Sequence, residues 1–386
     1  MKVLIIAHNY YSFGGAESVL RNLVKNISRR NVVLYLLTDS VNTSNKDNDF
    51  AEIYYVPLRT VPIINASKFL MRTFRLLRNI LKKERFDLVH VHGNIAKPPK
   101  NIPSLMTIHG TYKNELPYLL RHPTSPFYKL IYSSIVYSQY LYEKHTYRFA
   151  KYYHTVSTIS KEEIVEVGGI NPESIFVIPN GVDINKFKPK NTRDKVISNL
   201  NLLENVRIIL FVGNIQPRKG VHVLIKSVPP ILKKHNVFLL IVGGHPRFGG
   251  SYLNYLNELV NRLRISEHVM FLGKVSDEML IDLYNACDLV VLPSYHEGFG
   301  LPVLEAAACG KTSVVTHVCG AKDVLGEFGY YVKPDDHEEL AMKIIKALNE
   351  VEPYNAKLRR RVEKNYTWDK IAERMIKLYE LCIERG

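Results

Sequence analysis

Short apolar runs alternate with amphipathic helical stretches along most of this chain, and that alternation restricts it to parallel sheets wrapped by helices. In the first half the strand candidates are Lys2–Ala7, Val32–Leu37, Ile53–Val56, Asp87–Val91, Leu105–Ile108 and Tyr153–Val156. In the second they are Val206–Val212, Val237–Val242, Val269–Phe271, Leu289–Leu292 and Ser313–Val315. Helices are predicted between them, among them Glu17–Ser28, Val221–Lys234, Tyr252–Leu263 and Asp277–Ala286. Between Asn180 and Glu204 the rhythm breaks into a polar, Pro- and Asn-bearing stretch, and a fresh strand begins at Val206. A domain boundary belongs there. The expectation is an α/β protein of two doubly wound halves, residues 1–182 and 183–365, facing across a cleft. Ligands of such sheets bind at the carboxyl ends of the strands.

The length of 386 residues fits two or three domains at about 150 residues each. With 46% hydrophobic and 23% charged residues the chain is an ordinary globular one, neither disordered nor collagenous. Its 52 Lys and Arg against 37 Asp and Glu leave a formal charge of +15, which predicts attraction to an anion such as a phosphorylated ligand, a lipid surface or nucleic acid. Cys287, Cys309, Cys319 and Cys382 form no C-x-x-C pair and read as reduced packing residues of a cytosolic protein. No apolar run approaches the roughly 18 residues of a membrane span. Met1–Ala7 is too short for a signal segment and reads as the first strand.

Three loops carry chemistry. After the first strand, His8 to Glu17 includes Gly14-Gly15 at a helix start, where free N–H groups and missing Cβ atoms suit an anion. A tight turn is the plainer reading. A dinucleotide site is the rival, because Asp39 ends the second strand, but G-x-G-x-x-G is absent. The strand Val206–Val212 leads into Gly213-Asn214-Ile215-Gln216-Pro217-Arg218-Lys219-Gly220, where a planar fork and a compact charge sit side by side. That pair suits a departing diphosphate, although it is equally a solvated turn. In His296-Glu297-Gly298-Phe299-Gly300-Leu301-Pro302-Val303-Leu304-Glu305, Pro302 fits a first helical turn. Glu305 then lies one turn inside and Glu297 in the preceding loop, two carboxylates suited to sugar and ribose hydroxyls.

Together with Thr107-Ile108-His109-Gly110, Ile178-Pro179-Asn180-Gly181-Val182-Asp183, Ile241-Val242-Gly243-Gly244 and Phe271-Leu272-Gly273-Lys274-Val275, these motifs resemble the family 4 glycosyltransferases, retaining enzymes of GT-B fold. The ordered set covers nearly the whole chain. The resemblance implies two Rossmann-like domains, the C-terminal helix 366–386 crossing back onto the first, with Trp368 as an anchor. It implies that Gly15 meets the donor phosphate, that Arg218 and Lys219 bind the diphosphate, and that Glu305 holds the ribose. Val275 would meet the base through its backbone. Glu297 and the amides of Phe299, Gly300 and Leu301 would grip the donor sugar, and His109 would stand beside the anomeric carbon. The donor is a nucleotide sugar, UDP- or GDP-linked, and no cofactor or metal is implied. Two positions depart from the family pattern: Asn214 stands where many relatives have Arg, and Gly244-His245-Pro246 replaces the usual acid.

Asp47-Asn48-Asp49 has the letters of a metal-binding Asp-x-Asp, yet it lies in an Asn- and Ser-rich loop with no strand leading in. On the acceptor side, the segment Ser67–Arg85 places Phe69, Leu70, Phe74, Leu77 and Leu81 at helical spacing amid Lys68, Arg72, Arg75, Arg78, Lys82, Lys83 and Arg85. This is either a surface that docks reversibly on an anionic membrane or a core-facing stripe with a solvated cationic back. Phe127–Tyr153 carries Tyr128, Tyr132, Tyr137, Tyr140, Tyr142 and Tyr147, read mostly as packing across one long helix, with a direct acceptor role as the alternative. The expected partners are a nucleotide sugar and a lipid-linked or glycan acceptor, in a cytoplasmic protein with peripheral contact at the inner face of the membrane. A nucleotide-sugar epimerase of the same architecture is the enzymatic rival. Nucleic-acid binding is the non-enzymatic one, although the basic residues are dispersed and no recognition module is present.

Overall fold

The computed structural model describes residues 1–11, 15–39, 47–56, 73, 75–93, 96–111, 113, 126–244 and 250–386. They form two compact units. The first comprises Met1–Thr111, Gln139–Gly181 and Trp368–Gly386, the second Tyr112–Ser138 and Val182–Thr367.

The sheet of the first unit contains β1 (Lys2–Ala7), β2 (Val33–Thr38), β3 (Glu52–Tyr55), β4 (Leu88–His92), β5 (Ser104–Ile108), β6 (Tyr152–Thr155) and β7 (Ile175–Val177). All pairs are parallel, in the order β3-β2-β1-β4-β5-β6-β7. Central strands covered on both faces read as continuous apolar runs, and β1 (KVLIIA) does so. β4 (LVHVH) does not. Its Val89 and Val91 join Leu4, Ile6, Met106 and Ile108 in one core, while His90 and His92 point to the other face by the two-residue period of a strand.

The helix Gly15–Ile27 buries Val19, Leu20, Leu23, Val24 and Ile27 at three- and four-residue spacing and packs on the helix Trp368–Glu384. Trp368 is 9% exposed and its ring lies against Gly181, where an added Cβ would stand 2.6 Å from the indole.

The helix at 75–83 settles part of the reading of the basic segment. Leu77 and Ile80 are buried and Leu76 and Leu81 pack against the same core, so the apolar stripe faces the sheet. Arg75, Arg78, Lys82, Lys83 and Arg85 form the exposed back. Lys68, Phe69, Leu70, Arg72 and Phe74 lie outside the described residues. The tyrosine-rich helix runs from Pro126 to Thr146, shorter than predicted. Tyr147 is already core of the first unit and Tyr152 begins β6, whereas Tyr137 is exposed.

The second unit has β8 (Arg207–Val212), β9 (Val237–Val242), β10 (Val269–Gly273), β11 (Leu289–Leu292), β12 (Ser313–Thr316) and β13 (Tyr330–Val332), again all parallel, in the order β10-β9-β8-β11-β12-β13. Three of its helices start where a side chain accepts an orphan N–H group: Ser276 from Met279, Asp336 from Glu339, Asn355 from Leu358. The stretch after Asn180, expected to be irregular, holds the helix Arg193–Asn199. Arg193 reaches the carbonyls of Val206 and Ala286 and the carboxylate of Asp288, stitching that helix to β8 and β11.

The four cysteines are buried and free, and burial pushes the thiols of Cys287, Cys309, Cys319 and Cys382 up to about 12. Among the described residues no helix is long and apolar enough to cross a membrane.

Candidate functional site

In each sheet the strand order reverses once, between β1 and β4 and between β8 and β11. Neighbouring loops run to opposite faces at such a point, which opens a crevice at the carboxyl ends of the two strands. The motif-bearing loops of both units leave these strands.

In the second unit β8 ends at Val212, and the turn Pro217–Lys219 delivers Arg218 and Lys219 before the helix Val221–Leu232. Gly220 links the two with φ +67, and a Cβ there would collide with the Pro293 carbonyl beyond β11. Only glycine allows the two loops to approach this closely. The Tyr295 amide donates to the Arg218 carbonyl at 2.8 Å, locking the cation loop to the acidic loop.

A buried relay braces the same junction. His222 lies between Tyr252 (2.8 Å at Nδ1) and Tyr295 (2.9 Å at Nε2), and the Tyr295 hydroxyl lies 2.5 Å from Asp335. An ionised carboxylate only accepts, so Tyr295 donates to Asp335 and accepts from the Nε2–H of His222; in a neutral ring Nδ1 then accepts from Tyr252.

On the acidic loop Glu297 is paired with Lys219. Their side chains are only 16% and 10% exposed. Burial acts to raise the Glu297 carboxyl, but the charges of Lys219 and Arg218 with the Lys219 hydrogen bond outweigh it and hold the group below its ordinary value. A parallel bridge to Cys319 and the hydrogen bond from the Gly320 amide to its carbonyl fix the Glu297 backbone.

Gly300, at φ +88, then turns the chain into the helix Leu301–Ala308 with Pro302 in the first turn. Among the described residues the amides of Phe299, Gly300 and Leu301 have no acceptor. Glu305, one turn inside, accepts from the buried Tyr284 hydroxyl at 2.7 Å. Burial raises its carboxyl to about 7 against the lowering effect of that bond. Val275 is half-buried in the turn between β10 and the helix Asp277–Ala286. Arg218, Lys219, Glu297 and the three amides thus share the switch point, with Glu305 on the following helix. His245 and Pro246 lie outside the described residues.

In the first unit Gly15 is the exposed first residue of its helix, where N–H groups have no intrahelical partner. Gly14 lies outside the described residues. Asp39 is engaged: its carboxylate lies 2.6 Å from His8 and accepts the Asn9 amide at 2.7 Å, so it braces the loop after β1. Asp47 and Asp49 accept from the hydroxyls of Tyr11 and Ser28 and serve the loop itself.

His109 stands one residue beyond β5, its Nε2 3.0 Å from Nε2 of His92 at the end of β4. Beneath them runs a chain no motif announced: Tyr379 Oη to His90 (2.8 Å), His90 to Thr107 (2.6 Å), Thr107 to His154 (2.8 Å), and His154 to the Ile178 carbonyl (2.9 Å). With both rings neutral, the accepting carbonyl sets the order: His154 donates from Nε2, Thr107 donates to its Nδ1, His90 donates to Thr107, and Tyr379 donates to His90. Burial keeps both histidines neutral, pushing His90 down to about 3 and His154 to about 4.

In the unfolded chain these rings take a proton below about pH 6.5. The unfolded state then binds more protons than the folded one, so their contribution is full above that pH and shrinks below it. Calorimetric melting from pH 7 to 5 is expected to show a loss of up to about 2 kcal/mol for each of the two rings. A flat profile would contradict the neutral chain.

With this geometry in view, the family likeness can be placed. The Glycosyltransferase Family 4 model matches residues 13–186 and the Glycosyl transferases group 1 model residues 192–368. An uncharacterized glycosyltransferase of Methanocaldococcus jannaschii is 26% identical over 100% of this chain and 99% of its own length. The phosphatidylinositol N-acetylglucosaminyltransferase GPI3 subunit of Saccharomyces cerevisiae is 25% identical over 96% of this chain and 80% of its own. The crystal structure of Anabaena HepE in complex with UDP and glucose superposes with a TM-score of 0.74 at 20% identity, covering 98% of this chain and 99% of that one. With two parallel, doubly wound sheets whose switch-point loops carry the family's motifs in order, the chain belongs to the family 4 glycosyltransferases of GT-B fold.

Proposed function

We propose that this glycosyltransferase moves a hexosyl group from a UDP- or GDP-linked sugar to an acceptor hydroxyl with retention of anomeric configuration. The carrying observation is the second-unit switch point, where two cations, a carboxylate held ionised by them and three amides without an acceptor among the described residues share one place. Such a set fits a diphosphate next to a hydroxylated ring. Arg218 and Lys219 take the diphosphate, Glu297 and the amides of Phe299, Gly300 and Leu301 the sugar, Glu305 the ribose and Val275 the base. On the family resemblance, Gly15 serves the donor phosphate and His109 the sugar.

Retention follows without a protein nucleophile if the departing diphosphate takes the acceptor hydroxyl's proton on the face it leaves. The enzyme then stabilises leaving charge and an oxocarbenium-like sugar. At roughly 1.5–3 kcal/mol per charge-assisted hydrogen bond, two cations and a few amides supply on the order of 5–8 kcal/mol. The acceptor is a lipid-linked or glycan precursor. Supporting a lipid acceptor are the yeast relative, whose name specifies a phosphatidylinositol substrate, and the five exposed cations at 75–85. At roughly 1 kcal/mol each near an anionic leaflet they support reversible peripheral docking at the cytoplasmic face.

The test is incubation with UDP-, GDP- and ADP-hexoses and candidate acceptors, with the product anomer read by NMR. Retained configuration and activity undiminished by chelator are expected. Inversion would overturn the mechanism. A new nucleotide sugar formed without acceptor would indicate the epimerase, and salt-dependent duplex binding without donor binding the nucleic-acid reading.

A further inference from the structure

His109 has a partner that no motif assigns. His90 and His92 lie on one face of β4, and Thr107 and His109 follow the same two-residue period along the next strand. β4 and β5 pair in register His92↔Thr107, and Thr107 is held from both sides by His90 and His154. The backbone that delivers His109 is therefore fixed by the buried chain. The ring itself is held by His92, with centroids 4.6 Å apart, planes at 60° and the two Nε2 atoms at 3.0 Å.

We infer that His92 is the positioning residue of His109, its Nε2 hydrogen bond both holding that ring and deciding whether His109 presents N–H or a lone pair at Nδ1. This rests on the assignment of His109 to the reacting sugar.

The chemistry is restrictive. An Nε2···Nε2 bond needs one proton between two nitrogens, so one ring donates and the other accepts. If His92 donates, the proton of neutral His109 must sit on Nδ1. If His92 accepts, Nδ1 of His109 is bare. Two protonated rings would oppose N–H to N–H and break the pair. Burial keeps both uncharged, pushing His109 down to about 3 and His92 well below its ordinary value. An uncharged pair adds no positive charge beside a sugar that becomes cationic, while an imidazolium there would oppose the transition state. A sugar hydroxyl can donate or accept, so a ring locked in one sense selects one hydroxyl orientation and a loose one does not.

The experiment compares His92→Leu, His92→Gln, His109→Ala and the double variant His92→Leu/His109→Ala, measuring kcat, donor KM and product formation, with folding checked by circular dichroism and melting. His92→Leu is expected to lower kcat about tenfold to a hundredfold, with donor KM changing less than about threefold, because the ring is misplaced rather than the donor released. His92→Gln, whose amide can donate or accept, is expected to recover most of that loss. The double variant should be no slower than His109→Ala, since a residue acting through another has nothing left to lose. A folded His92→Leu enzyme at wild-type kcat, equal losses in Leu and Gln variants, or losses that multiply in the double variant would each overturn the inference. Should His92→Leu fail to fold, ¹⁵N NMR of the wild type must show one ring protonated at Nδ1 and its partner at Nε2. The same tautomer in both would overturn it. If His109→Ala itself transfers sugar at the wild-type rate, the assignment of His109 fails instead.

Discussion

A Lys219→Met enzyme is expected to lose transferase activity by about 10²–10³-fold, the cost of removing one preorganised charge from where leaving-group charge develops. It is also expected to lose about 3 kcal/mol of stability, because Glu297 stays behind as a buried carboxylate without its hydrogen-bonded cation, held chiefly by the charge of Arg218. The pH dependence separates the two effects. In the wild type the Glu297 carboxyl is depressed, so the pair's stabilisation is full above its unfolded value and is lost as pH falls toward the folded one. Without Lys219 burial dominates and the carboxyl rises, so the variant should gain stability on acidification over the range where the wild type does not. Adding Glu297→Gln should restore most of the melting temperature and none of the turnover. Thermal melting at pH 4 to 8 with a donor-hydrolysis assay checks both, and wild-type turnover without Lys219 would remove it from the diphosphate site.

Glu305→Gln is expected to stabilise the protein while weakening its hold on the donor. The folded carboxyl titrates at about 7 because it is buried, so above that pH the fold carries an ionised group at a cost on the order of 3 kcal/mol. The sign is that of a raised group: its stabilisation is complete below the unfolded value and gone once pH passes the folded one. The amide carries no charge and still accepts from Tyr284, so the variant should melt higher at pH 8 and equally at pH 4. Ribose hydroxyls donate best to the ionised form, so wild-type affinity for an intact nucleotide sugar should fall about tenfold between pH 8 and 6. The Gln variant should bind more weakly and without that dependence. Calorimetric titration at the two pH values decides, and a wild-type affinity independent of pH would detach Glu305 from the ribose.

The parts of this site that were legible in the sequence were those marked by backbone restrictions. Glycines at forced φ, a proline at a helix start and apolar runs feeding them located Arg218 and Glu297 on their loops and Glu305 in the first turns of the following helix, because such signals are local. The edge strands β7 and β13 escaped because three residues show no periodicity. The helix at Arg193 escaped because only Val196 and Ile197 are buried in an otherwise polar run.

The braces were invisible for another reason. Tyr252, Tyr295 and Asp335 come from distant parts of the chain, and only the folded sheet brings them to His222. The histidines did leave a trace, the alternating His90-Val91-His92 and Thr107-Ile108-His109, which puts polar rings on one face of two central strands. A polar face on a strand buried from both sides is a departure that asks for partners. The apolar stripe at 75–83 shows the limit of the opposite signal, because helical spacing alone does not say whether a core or a membrane receives it.

The account turns on where the donor's diphosphate rests, and a crystal structure with an intact nucleotide sugar tests that most directly. Diphosphate oxygens within hydrogen-bond reach of Arg218 and Lys219, with the ribose hydroxyls on Glu305, are the predicted result. A donor bound elsewhere, with Lys219 still engaged by Glu297 alone, would contradict it.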